Sequence, residues 1–165
     1  MYYNNAMISC PIPGRDTLEI QHLVCDVNGT ISCDGLLLDG VKDRFEQLKD
    51  LVQIHLISAD TLGTLAVIEE ELGAYVSSVM RLTAGGEAEQ KFEFIESLGT
   101  LNVAAIGQGT NDRLMLKGAA IGICVISKET TAVETILSAD ILAPDILSAL
   151  ELFIYPSRLK ATLRQ

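Results

Sequence analysis

Basic residues are scarce in this chain of 165 residues: Lys and Arg number 12 against 22 Asp and Glu, which leaves a formal net charge of −10. With a pI near 4.5, that balance argues against a nucleic-acid partner, whose affinity comes largely from cations on phosphates. It argues equally against a polybasic membrane anchor. Long apolar runs are missing too. The longest, residues 118–126, has nine residues and two glycines, well short of the roughly 18 that a bilayer span needs. The first residues, MYYNNAMISCPIPG, carry neither a basic stretch nor an apolar one of the secretory kind, so the expected location is cytoplasmic. Two histidines and four cysteines (Cys10, Cys25, Cys33, Cys124) without a CxxC pair speak against a zinc cage and against a disulfide framework. No repeat, low-complexity tract or Pro/Gly/Ser-rich linker divides the chain, and one domain over 1–165 is expected.

What is present is apolar and periodic. Hydrophobic residues make up 48% of the chain and mean hydropathy is +0.32, which excludes disorder as a description of the whole. Residues 1–20 read as an antiparallel hairpin: Ile8, Cys10 and Ile12 alternate, Pro13-Gly14-Arg15-Asp16 turns, and Leu18 and Ile20 alternate again. From His22 on, short apolar strands alternate with helices. The strands are expected at Leu23–Cys25, Gln53–Ile57, Tyr75–Leu82, Val103–Ile106, Ile121–Ile126 and Asp140–Leu142. Helical spacing joins Val41, Phe45 and Leu48, then Leu65, Ile68 and Leu72, then Ala88, Phe92 and Ile95. Gly73 and Gly99 stand where helix C-caps belong. Residues 127–165 should add a last strand and helices. Continuous apolar strands separated by helices mean βαβ units. The expected class is therefore α/β, a Rossmann-like three-layer α/β/α fold with a central, mostly parallel sheet.

In such a sheet, ligands bind beyond the C-terminal strand ends at the topological switch point. The polar residues that follow the strands are then the candidates. The first strand runs into Asp26-Val27-Asn28-Gly29-Thr30, the second into Ser58-Ala59-Asp60-Thr61, and the fourth into Gly107-Gln108-Gly109-Thr110-Asn111-Asp112. Lys91 lies on the helix before that fourth strand, among Glu87, Glu89, Glu93 and Glu96. A carboxylate can attack phosphorus to form an aspartyl phosphate. Donors and cations must surround the transferring group, and paired carboxylates can hold Mg²⁺. Each residue also has a plainer reading. Asp26 and Asn28 fit a structured turn, Lys91 a solvated helix charge, and Ser58 or Asp60 a helix N-cap. His22 and His55 have no ligand set near them in sequence and read as structural.

The order DVNGT, Ser58, Lys91, GQGTND over about residues 22–126 resembles the four motifs of the haloacid dehalogenase superfamily. It is most similar to soluble relatives of the P-type ATPase phosphorylation domain, with Asp-x-Thr-Gly-Thr, Thr-Gly-Asp, Lys and Gly-Asp-Gly-x-Asn-Asp. The closing Pro156-Ser157-Arg158-Leu159 segment fits that subgroup. The resemblance implies Asp26 as nucleophile and Mg²⁺ ligand, with the Asn28 backbone carbonyl as second ligand. Thr30 would position the transfer site, Ser58 and Lys91 would hold phosphoryl oxygens, Asp112 would support the ion directly or through water, and Asn111 would orient the site. Two departures stand out. Asn28 occupies the position where the superfamily's phosphatases carry an acid/base Asp, and an amide cannot exchange a proton near neutral pH. Gln108 stands where the ATPases have Asp, so its amide oxygen would serve the ion without a charge.

Only 33 positions separate Ser58 from Lys91, and Thr30 to Val41 has room for no more than a hairpin turning at Asp34-Gly35. No cap domain fits, and the resemblance then implies a homo-oligomer in which a neighbouring subunit covers the site. The implied activity is that of a Mg²⁺-dependent phosphohydrolase or phosphotransferase, slow because of Asn28, acting on a small phosphorylated substrate or a phosphoprotein. A non-catalytic phosphate-binding or regulatory module is the alternative. A dehalogenase, which would need no Mg²⁺, is disfavoured by the GxGxND pattern.

Overall fold

The computed structural model describes residues 6–165; the first five residues of the expected hairpin lie outside that range. β1 (Ile8–Cys10) and β2 (Leu18–Ile20) pair antiparallel, with Ile8 opposite Ile20 and Cys10 opposite Leu18. β3 (His22–Asp26) opens the main sheet. β4 (Ser32–Cys33) and β5 (Leu36–Leu37) form the small hairpin expected between Thr30 and Val41, with Asp34 and Gly35 in its turn. There follow α1 (Val41–Leu48), β6 (Gln53–Ser58), α2 (Leu65–Leu72), β7 (Ser78–Arg81), α3 (Glu87–Leu98) and β8 (Val103–Gly107). The chain continues through α4 (Arg113–Gly118), β9 (Ile121–Val125), α5 (Val133–Ser138), β10 (Ile141–Ala143), α6 (Ile146–Ile154) and α7 (Pro156–Leu163). β7 is four residues long rather than the eight of Tyr75–Leu82; the others match their expected places to within two residues.

The six-stranded sheet has the order β10-β9-β8-β3-β6-β7, and every pairing in it is parallel. The two-residue alternation of side chains splits the core into two layers. Leu23 and Cys25 of β3, Ile54 and Leu56 of β6, and Ala104 and Ile106 of β8 face α1, α2, α6 and α7. Val24, Ile57 and Ala105 face α3 and α4. This is a three-layer α/β/α architecture. Among the described residues no helix is long and apolar enough to cross a membrane.

The inward stripe of α3 corrects the reading by apolar spacing. Ala88, Lys91 and Ile95 are the buried positions, while Phe92 is half-buried and packs against Gly118. A cation occupies a core position because two carboxylates meet it there. Gly99 ends α3 at φ 89°, whereas Gly73 follows α2 in ordinary right-handed geometry.

The two histidines, read as structural from the sequence, are partners. His22 Nδ1 lies 3.1 Å from His55 Nε2, and His55 Nδ1 lies 2.7 Å from Ser78 Oγ. Phe94 of α3 packs edge-on against His55.

Candidate active site

From β3 the chain builds β6 and β7 on one side, then returns to build β8, β9 and β10 on the other. The switch point is the pair of loops after β3 and β8, and the motif residues collect there. Period-2 alternation turns Asp26 to the same face as Val24, toward α3. Lys91, on the second turn of α3, reaches it. Lys91 Nζ donates to Asp26 Oδ1 and to Asp112 Oδ1, each at 2.6 Å. None of the three is more than 6% exposed.

Each carboxylate has a second set of partners. Thr30 Oγ1 donates to Asp26 Oδ2 at 2.8 Å. Asp112 Oδ2 accepts from the Gln108 and Gly109 amides, both at 2.9 Å. Asp112 can lie so close to the end of β8 because residue 107 is glycine; a Cβ there would sit 2.4 Å from Asp112 Cγ. The loop after β8 is fixed from outside by Thr135 Oγ1, which donates to the Gly109 carbonyl at 2.8 Å.

Two carboxylates and one ammonium leave the buried trio one negative charge in excess. Burial and the Asp112 charge push the Asp26 carboxyl up to about 6, against the opposing pull of Lys91 and Thr30. Burial alone would lower the Lys91 ammonium, but Asp26 and Asp112 outweigh it and hold it above its ordinary value.

The remaining predicted residues frame this trio. Asn28 is half-buried, and its Nδ2 donates to Thr61 Oγ1 at 3.1 Å, tying the β3 loop to the β6 loop. The Asn28 backbone carbonyl accepts from Gln108 Nε2 at 3.3 Å. Ser58, buried at the end of β6, directly follows Ile57, the register partner of Asp26. Its Oγ accepts from the Asp60 amide at 2.9 Å, and Asp60 Oδ1 in turn accepts from Leu65 N at the start of α2. Among the described residues Ser58 makes no side-chain hydrogen bond to Asp26 or Lys91. Asn111 Nδ2 donates to Glu87 Oε2 at 2.9 Å. The structure thus joins Asp26, Thr30, Lys91 and Asp112 directly, brings Gln108 to Asn28, and leaves Ser58 bound within its own loop and Asn111 bound to Glu87 at the start of α3. Sequence reasoning placed Thr61 at the close of the SADT segment after β6 but gave it no role, and it missed Thr135, which lies 23 residues beyond Asp112, with no local signal.

No family model matches the chain. It is 46% identical over 84 residues to the uncharacterized protein MJ0073 of Methanocaldococcus jannaschii, covering 48% of this chain and 90% of that one. Among solved structures, one similar fold is 3-deoxy-D-manno-octulosonate 8-phosphate phosphatase from Moraxella catarrhalis, in complex with magnesium, phosphate and KDO. It has a TM-score of 0.65 and 17% identity, over 86% of this chain and 90% of that one. A phosphoserine phosphatase in its apo form matches with a TM-score of 0.62 and 15% identity, over 82% and 98%. Both are phosphatases of the haloacid dehalogenase superfamily, and this chain shares their fold. By its identity to MJ0073 across nine-tenths of that protein, the chain belongs to the same family as MJ0073.

Proposed function

We propose that the chain is a Mg²⁺-dependent phosphohydrolase or phosphotransferase that works through an aspartyl phosphate on Asp26. The observation that carries this reading is the fully buried Lys91 held at 2.6 Å from both Asp26 and Asp112. A buried cation between two carboxylates at a switch point is costly to build for stability alone, and it is the arrangement phosphoryl transfer needs.

The residues present suit a Mg²⁺ ion. Asp26, the Asn28 carbonyl and Asp112 offer oxygen donors, and the trio's excess negative charge calls for a cation. Asp26 and the Asn28 carbonyl would hold the ion, with Asp112 supporting it. When bound, it supplies positive charge to the phosphoryl oxygens.

The protein's own residues do the rest. Thr30 holds Asp26 Oδ2 and Lys91 holds Oδ1, fixing the nucleophile's plane. As Asp26 attacks phosphorus, the bond to the leaving oxygen breaks, and that oxygen keeps the electron pair. Lys91 and the Ser58 hydroxyl face the charge that gathers on the transferred group. In the second step, water cleaves the acyl phosphate and returns Asp26. Asn28 supplies no general base for that water, and its amide is committed to Thr61. Loss of a general acid/base typically costs about 10²–10⁴-fold. We therefore read the enzyme as slow, with a persistent phosphoenzyme, in keeping with its resemblance to the P-type ATPase group. A small phosphorylated substrate or a phosphoprotein would be the donor. A second copy would cover the open mouth, where Leu36 is exposed on the β4–β5 hairpin. The setting is the cytoplasm, whose reducing conditions suit four free cysteines.

The alternative, a phosphate-binding module without turnover, is favoured by Asn28 and Gln108. Release of phosphate from p-nitrophenyl phosphate and acetyl phosphate, with and without Mg²⁺, on wild type and Asp26→Asn, separates the two. Mg²⁺-dependent release lost in Asp26→Asn is expected. No release by wild type under any condition would favour the module.

A further inference from the structure

The resemblance assigns Gln108 to the metal as a weak ligand, but the geometry gives it a different task. Its side chain crosses the switch point from the β8 loop to the β3 loop and donates through Nε2 to the Asn28 carbonyl. Its backbone is pinned at both ends: its N–H donates to Asp112 Oδ2, and its carbonyl accepts from Ala132 N at 3.0 Å. The amide group lies directly over Gly29. A Cβ at residue 29 would be 2.1 Å from Gln108 Nε2, so the seat exists because residue 29 has no side chain, and its φ of 77° suits glycine. A carbonyl oxygen can only accept, so the NH₂ edge of the amide, not its oxygen, must face Asn28. That edge repels a cation.

The Asn28 carbonyl is also the oxygen that an ion on Asp26 would take. We propose that Gln108 is an internal plug: its amide donates to the Asn28 carbonyl, and a divalent ion takes that oxygen only after the amide swings away. The proposal rests on the phosphoryl-transfer reading for the position of the ion, and it makes Gln108 a residue that sets metal affinity rather than one that coordinates.

The test is metal affinity without substrate, read by Mn²⁺ electron paramagnetic resonance and by Mg²⁺ calorimetry. If Gln108 coordinates, Gln108→Ala binds more weakly. If it plugs, Gln108→Ala frees the Asn28 carbonyl for the ion, a water completes the ion's shell, and affinity rises. A neutral hydrogen bond of this kind contributes a net amount that corresponds to about 2–12-fold in affinity. Gln108→Asp removes the donor and adds a charge, and should bind more tightly still, by 10-fold or more over wild type. The pinned backbone keeps both variants folded, which circular dichroism would check. Weaker or unchanged binding by Gln108→Ala would overturn the proposal, as would absence of Mn²⁺ binding by both variants at millimolar concentration. Tighter binding by Gln108→Ala with no phosphoryl adduct on Asp26 would leave the plug standing and remove the phosphoryl-transfer reading. An adduct together with weakened binding would do the reverse.

Discussion

Replacing Asp26, the proposed nucleophile, should make the metal-free protein more stable. The Asp26 carboxyl titrates at about 6 in the folded chain because it is buried beside Asp112, against an ordinary value of 3.8. Keeping it ionised at pH 7 therefore costs about 3 kcal/mol of folding free energy at 1.36 kcal/mol per tenfold. Asn at position 26 removes that charge and keeps the bonds: its Oδ1 still accepts from Lys91, and its Nδ2 can donate to Thr30 Oγ1. Lys91 stays paired with Asp112. That figure already counts the pull of Lys91; with an amide making poorer bonds to Lys91 than a carboxyl, Asp26→Asn should gain about 1–3 kcal/mol at pH 7 in EDTA. For a chain of this size that is about 3–10 °C in Tm. The pH dependence is the sharper signature. The folded carboxyl binds its proton more tightly than the unfolded one, so wild type is penalised only once pH rises past about 4, and fully so above about 6. The advantage of Asp26→Asn should thus shrink from its full value at pH 7 to nothing near pH 4. Paired urea or thermal melts at both pH values measure it. An Asp26→Asn protein no more stable than wild type at pH 7, or an advantage that persists at pH 4, would refute the reasoning.

The histidine pair should give the opposite slope. Burial and the adjacent His22 push His55 down to about 4, so its stabilising effect is complete above pH 6.5 and is lost as pH falls toward 4, by up to about 3 kcal/mol. In wild type this offsets the Asp26 effect, so the slope should stand out in Asp26→Asn and vanish in the double variant Asp26→Asn/His55→Asn; melts across pH 4–7 check it. Lys91→Met should leave Asp26 and Asp112 facing each other in the core without a cation, at a cost of about 3–5 kcal/mol at pH 7. Mg²⁺ should recover part of that in a thermal melt, whereas an unchanged Tm would place Lys91 outside the energetic centre.

The layers of this fold were legible because buried parallel strands are apolar runs and their helices carry a 3.6-residue stripe. The candidate site was legible as a set of strand ends: Asp26 and Ser58 end theirs, and the Gly107–Asp112 loop follows β8 directly. Lys91 was visible only through its place in the motif order. Apolar spacing on α3 pointed to Phe92 instead, because a pattern search scores Lys as a surface residue whatever it faces. The His22–His55 contact and the Thr135 brace on Gly109 depend on which strands and loops become neighbours, and no local pattern encodes that. The role of Gln108 turned on which edge of an amide meets a carbonyl, a fact of geometry alone.

Acid-quench intact-mass spectrometry after mixing with acetyl phosphate and Mg²⁺ tests the central claim most directly. Wild type should gain one phosphoryl group that maps to Asp26 and decays slowly. Asn28→Asp should clear it faster, by up to the 10²–10⁴-fold that a general acid/base typically supplies, and Asp26→Asn should not form it. A wild type that never gains the group, or an Asp26→Asn protein that gains it equally, would contradict the account.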